Sequence, residues 1–171
     1  MSKKLENCMI ERKECVINNS ELEFLSKDKF PLFCGCVENG IENDFICEQE
    51  WAISKDGVIQ LKNLIPLNLL YTAGHDSGMI GGLWEEHHQE FANFVMQTQP
   101  KNVLEIGGGH GKLAQNCLKL GNLQWTIVEP NSNNKYAGIH YIDNFFTKEI
   151  FSDRTFDTIV HSHTLEHIYN P

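Results

Sequence analysis

The apolar positions of this chain change period twice. Across residues 1–70 they come in short scattered segments separated by Asn and Gly turn signals, with no long amphipathic run, which predicts a small domain of strands and loops. Within it, Gly57-Val58-Ile59-Gln60-Leu61 reads as a short strand after the Lys55-Asp56-Gly57 turn. Glycines between Gly78 and Gly82 then loosen the backbone, and Leu83, His87, Phe91, Phe94 and Val95 recur at three-to-four-residue spacing. That spacing predicts a helix of about four turns ending before Pro100.

Beyond Pro100 the pattern alternates as βαβ units do. Strands are predicted at Asn102 to Ile106, Gln124 to Val128, Ile139 to Ile142 and Phe156 to His161. A helix from Lys112 to Leu120, with Leu113, Cys117, Leu118 and Leu120 inward, is stopped by Gly121, and a second follows from Thr164 to Tyr169. Apolar runs without alternation suit parallel strands covered on both faces. The expected fold is α/β: a Rossmann-like, doubly wound parallel sheet, partial at about four strands, behind a small strand-and-loop domain. The expected boundaries are 1–70 for the small domain, 71–99 for a linker and connecting helix, and 100–171 for the sheet. Only eight residues separate Glu129 from Gly138. A complete crossover with its helix takes at least ~10–12, so this one is expected to be irregular.

The first βα turn carries the chemistry. Val103 to Gly111 reads V-L-E-I-G-G-G-H-G, in which Gly107, Gly109 and Gly111 let the backbone take positive φ and approach a ligand closely. A dinucleotide fingerprint from Gly107 needs glycine at 112, and a P-loop needs Ser or Thr at 113, whereas the chain has Lys112 and Leu113. The remaining pattern, E-x-G-x-G-x-G, resembles the first motif of class I S-adenosylmethionine (SAM)-dependent methyltransferases. That resemblance implies SAM as cofactor, with Gly107, Gly108, Gly109 and Gly111 beneath its methionine part. Glu105 either supports the loop or meets the ligand's amino group. Glu129, followed by Pro130, stands where a carboxylate accepts from ribose hydroxyls. Asp143, Asn144 and Phe145 follow the third strand, the neighbourhood of the adenine, with Phe145 or Phe146 either stacking there or packing in the core. His161-Ser162-His163-Thr164-Leu165-Glu166-His167 follows the fourth strand and would face the transferred methyl group. His161 borders the cofactor, and His163 and His167 can take a proton near neutral pH with Glu166 to orient them. The sheet of that family has seven strands, so a chain of 171 residues ending at Pro171 is expected to hold about half of it. Self-association, or completion by another polypeptide, is then expected.

Composition narrows the partners. The chain is 41% apolar and 22% charged, with a net charge of -9 and no Lys/Arg run beyond Lys3-Lys4, which argues against a phosphate backbone as partner. No stretch reaches the roughly 18 apolar residues of a membrane span, and the N-terminus is polar without an apolar signal core. The expected setting is the cytoplasm, with a small-molecule substrate and six cysteines present as thiols or metal ligands.

A narrower resemblance rests on the order of motifs. A cysteine-bearing N-terminal region, G-V-I-Q-L, L-Y-T-A-G-H-D-S-G-M, a helix with paired histidines, V-L-E-I-G-G-G-H-G, V-E-P-N and L-E-H-I together resemble the sugar C-methyltransferase family with an N-terminal zinc-binding domain. The resemblance implies methyl transfer to a carbanion or enolate on a nucleotide-linked deoxysugar. Tyr71 would approach the acceptor, and Glu166-His167 would match an acid/base pair. An interdomain packing role for Tyr71 stays open. The zinc domain departs from the family pattern, because two C-x-x-C pairs are expected and the chain has Cys8, Cys15, Cys34, Cys36 and Cys47, with Ile53-Ser54-Lys55-Asp56 at the second pair's place. Coordination by Cys8, Cys15, Cys36 and Cys47 is one expectation and free thiols the other. His75 and His87-His88 read as polar loop and helix residues. O- or N-methylation of another small metabolite, and a noncatalytic SAM-binding fragment, remain alternatives.

Overall fold

Antiparallel pairing dominates before residue 72 and parallel pairing after it. The structure, a computed structural model, describes residues 9–31, 46–71, 81–132, 135–151 and 153–171. It divides into a first unit, Met1–Thr72 with Asn170, and a second, Ala73–Tyr169 with Pro171.

The first unit contains β1 (Ile10–Glu11), β2 (Leu22–Pro31), β3 (Ile46–Ser54), β4 (Ile59–Leu61), β5 (Asn63–Leu64) and the single helical turn α1 (Leu67–Leu70). β2, β3 and β4 form one antiparallel sheet and β1 with β5 another. The long β2–β3 pairing, from Leu22 opposite Ser54 to Pro31 opposite Ile46, was not anticipated. Most of β2 is exposed, so its strand period carries no alternation of apolar with polar residues, and Leu25 interrupts the register. The predicted strand at Gly57–Leu61 forms as β4 with its turn ahead of it.

The second unit runs α2 (Gly82–Met96), β6 (Asn102–Ile106), α3 (Lys112–Leu120), β7 (Gln124–Val128), β8 (His140–Ile142) and β9 (Thr158–His161), with single 3-10 turns at Lys148–Phe151 and Leu165–His167. The strands are all parallel in the order β8-β7-β6-β9. This is the α/β, Rossmann-like arrangement expected. Successive residues serve opposite faces: Val103, Trp125, Ile127 and Val160 pack with Ala92, Val95, Leu113 and Cys117 of α2 and α3. Leu104, Ile106 and Val128 pack instead with Ile142, Phe146, Phe151, Phe156 and Ile168. At the other end of β6, the Asp157 carboxylate accepts the N–H groups of Lys101 and Asn102 at 2.9 and 3.0 Å, fixing β9 beside β6.

Several expectations need correction. The helix expected from Thr164 to Tyr169 is one 3-10 turn, ended by Ile168, whose backbone is extended at φ -82° and ψ 122°. Leu83, Phe94 and Leu120 are 80%, 63% and 49% exposed, so the inward faces of α2 and α3 are set by Ala92, Val95, Leu113, Ala114 and Cys117. Phe146 belongs to the core. The described part of the β7–β8 connection contains turns and no helix, as its length required. No helix among the described residues is long and apolar enough to cross a membrane.

Ile127 is fully buried between the sheet and α3, whereas Ile159 is 61% exposed. Ile127→Ala is expected to cost about 2–5 kcal/mol, and Ile159→Ala to stay within about 0.5 kcal/mol. Urea unfolding midpoints at constant slope check both.

Candidate functional site

Parallel pairing brings the carboxyl ends of β6, β7, β8 and β9 to one edge of the sheet, where an α/β fold binds its ligand. The loop after β6 is held from several sides. Gly107 N–H donates to Val128 O at 2.9 Å and Gly111 N–H to Gly108 O at 2.8 Å, before α3 starts at Lys112. A Cβ on Gly107 would collide with the Thr164 hydroxyl, so glycine lets the segment after β9 lie directly on the loop. Gly109 is the opposite case: φ is +52° and nothing lies within 4 Å of where its Cβ would stand. A bare backbone facing open space is the surface a flat or extended ligand can approach, and it fits the loop's expected role toward SAM.

The loop lies between two carboxyl groups in different surroundings. Glu105 is 5% exposed, and its Oε2 accepts the Trp125 indole N–H at 2.8 Å. A Cβ on Gly108 would come 2.7 Å from its carboxyl carbon. Burial, and secondarily the negative charge of Glu129, push its pKa from 4.5 up to about 8 against the opposing Trp125 bond. Of the two roles expected of Glu105, loop support is where its geometry lies. Glu129 is half-buried, its Oε2 accepting from Gly109 N–H at 3.3 Å and its Oε1 from Asn131 N–H at 3.1 Å. Each oxygen keeps a second lone pair for a hydroxyl donor. Pro130 follows it in a turn.

After β8, Asp143 is ion-paired with Lys135 at 2.6 Å and accepts from Ser132 Oγ at 2.7 Å. The Lys135 bond, then that of Ser132, hold its carboxyl below the usual range. Asn144 Oδ1 accepts from Phe145 N–H at 2.8 Å.

The segment after β9 gathers partners that sequence reasoning placed elsewhere. His87 of α2, read as a polar helix residue, has its Nε2 3.3 Å from Ser162 Oγ. The His163 ring lies 5.8 Å from that of His87 and 5.2 Å, edge-on, from Trp84. Ser162 O accepts from Thr164 Oγ1 at 3.0 Å, tying this group to the residue that rests on Gly107. The only advance signal was the position of His87 on the helix stripe, which reads equally as packing. Glu166 and His167 stand on the exposed turn beyond, 4.0 Å apart, and His161 ends β9 opposite Ile106. Tyr71 lies in the first unit.

The four-cysteine zinc set does not assemble as expected. Cys8, Cys34 and Cys36 lie outside the described residues, as does His75. Cys15 borders Ser54 at one end of β3, while Cys47 lies near its other end, its Sγ donating to Phe30 O at 3.6 Å. Seven strand residues at ~3.3 Å each separate Ser54 from Cys47 by roughly 23 Å. Thiolates sharing a tetrahedral zinc, with Zn–S of about 2.3 Å, lie within roughly 4 Å of each other. Cys15 and Cys47 therefore do not bind one ion, and the described residues contain no cluster able to hold one.

Two outcomes follow from the carboxyl pair. A group whose folded pKa lies above its unfolded value contributes stability below pH 4.5 that is lost as pH rises toward 8. Thermal midpoints of wild type should therefore fall from pH 5 to pH 8.5 more steeply than those of Glu105→Gln, which stays neutral. Glu129→Ala should weaken SAM binding by about 1.5–3 kcal/mol, read by titration calorimetry, through loss of charge-assisted hydrogen bonds.

The family described as Methyltransferase domain matches residues 81–171, more than half of the chain and spanning every element from α2 onward. No curated protein sequence matches the chain. The glycine loop, the parallel sheet that carries it and this match agree: the chain belongs to the methyltransferase domain family and is a class I SAM-dependent methyltransferase.

Proposed function

We propose that the chain transfers methyl to a small polar, carbohydrate-related acceptor, a nucleotide-linked deoxysugar. The observation that carries this reading is the imidazole and hydroxyl group at the end of β9, with His87 Nε2 3.3 Å from Ser162 Oγ and His163 beside them. A surface of side chains that both donate and accept suits a polyhydroxylated acceptor, and the order of motifs along the chain supports the sugar class. The net charge of -9 disfavours nucleic acid.

SAM, when bound, supplies an electrophilic methyl group. Gly107, Gly108, Gly109 and Gly111 hold its methionine part, Glu129 accepts from its ribose beside Pro130, and Asp143, Asn144 and Phe145 border its adenine. His161 flanks the same edge. Glu105 keeps the loop in place from beneath. On the acceptor side His163 removes the proton from the acceptor carbon or oxygen, His87 and Ser162 orient it, and Glu166-His167 relay the proton outward. The order of motifs also implies an approach of Tyr71 to the acceptor. The same base serves an O–H acceptor, so O-methylation of another small metabolite is the second reading, favoured by the same cluster.

Labelled SAM and a panel of acceptors separate the two. Transfer to nucleotide-linked deoxysugars is expected, reduced at least tenfold by His163→Ala with SAM affinity unchanged. Transfer confined to acceptors without a sugar would overturn the first reading.

A further inference from the structure

Two turns of the first unit are built alike and face each other. The first begins at Cys15, which is fully buried; Cys15 N–H donates to Ser20 O at 2.9 Å, Asn19 N–H returns to Cys15 O at 2.9 Å, and Asn19 takes φ 56°. The second begins at Ser54, 4% exposed; Ser54 N–H donates to Val58 O at 3.0 Å, Gly57 N–H returns to Ser54 O at 2.9 Å, and Gly57 takes φ 84°. Each turn therefore has a small buried side chain at its start and a left-handed residue at its close. Just before each left-handed residue stands a polar one, Asn18 in the first turn and Asp56 in the second. At C-x-x-C spacing, the four positions that would offer thiolates to one zinc ion are Cys15 and Asn18 at the first turn and Ile53 and Asp56 at the second.

The side chains present here do not fit that ion. Three of the four positions carry no sulfur: Ile53 has no ligating atom, and Asn18 and Asp56 are bonded to each other. Asn18 Nδ2 donates to Asp56 Oδ2 across the gap, while Asn18 Oδ1 accepts from Ser20 N–H and Ser20 Oγ at 3.1 and 2.7 Å. Ser54 Oγ accepts from Val58 N–H at 3.2 Å. The remaining thiol is surrounded by hydrogen-bond partners: Ile17 N–H, the Gln60 side chain, Asn18 N–H and the Ser54 hydroxyl. Gln60 is itself buried beside the thiol, its Oε1 accepting Val16 N–H at 3.2 Å. Burial opposes ionisation of Cys15 and these bonds outweigh it, holding its pKa below the ordinary thiol value.

We propose that the two turns are clasped by hydrogen bonds in the place of a metal, with Cys15 the acceptor at the centre and the Asn18–Asp56 pair the bridge between them. The unit then keeps the geometry of a metal-clasped pair of turns without dependence on a metal there. Cys15 is a structural acceptor and not a ligand.

Two measurements on the full chain test this. Zinc per chain, by elemental analysis after loading with excess zinc and desalting, is expected to be the same in wild type and Cys15→Ser. Loss of one equivalent in Cys15→Ser with an unchanged circular dichroism spectrum would overturn the proposal, since the thiol would then be a ligand. The second measurement involves no metal and stands even where Cys15→Ser fails to fold. Asn18→Ala and Asp56→Ala should each lower the thermal midpoint, and the double variant should fall no further than the larger single change. Strictly additive shifts, or no shift in either single variant, would show that the pair does not bridge the turns.

Discussion

The parallel register of β6 between β7 and β9 is the constraint from which the site follows. It places Ile106 opposite both Val128 and His161, so the three chain segments that leave those strands emerge at the same height. The glycine loop, Glu129 and Ser162 to Thr164 are neighbours because of that alignment and not because of proximity in sequence. A one-residue slip in either pairing would turn Glu105 from the Trp125 side toward the opposite core and bring Leu104 or Ile106 into its place.

The alignment also explains how two carboxyl groups coexist near one loop. Glu105 is sealed beneath the backbone and favours the neutral form, while Glu129, on the next strand, is half-buried and engaged by backbone N–H donors. Glu105 is thereby committed to the Trp125 indole, and Glu129 to the backbone N–H groups of Gly109 and Asn131.

Much of the second unit was legible because its signals are local. Asn102 to Ile106, Lys112 to Leu120 and Gln124 to Val128 coincide with observed elements, since an apolar run closed by glycine or by a carboxylate and proline specifies both type and limits. What was not legible depends on residues far apart. His87 meets Ser162 across 75 positions, and no spacing encodes that. The strand β2 escaped because solvent covers most of its length, which removes the alternation that marks a half-buried strand. Cys15 was read through its thiol chemistry, whereas its setting is decided by Ser54 and Gln60, neither of which announces itself as a partner. Asp143 was placed by its position after the third strand alone, and only the fold reveals the Lys135 ammonium at its side.

The contact of Thr164 with the bare α-carbon of Gly107 ties two loops that are separate in sequence. The Thr164 side chain lies directly against the Gly107 backbone, with no side chain of the glycine in the way. Remodelling of residues 162–164 therefore cannot proceed independently of the glycine loop: a bulkier residue at 164 displaces the backbone at 107. Substitutions at these two positions would have to be selected as a pair.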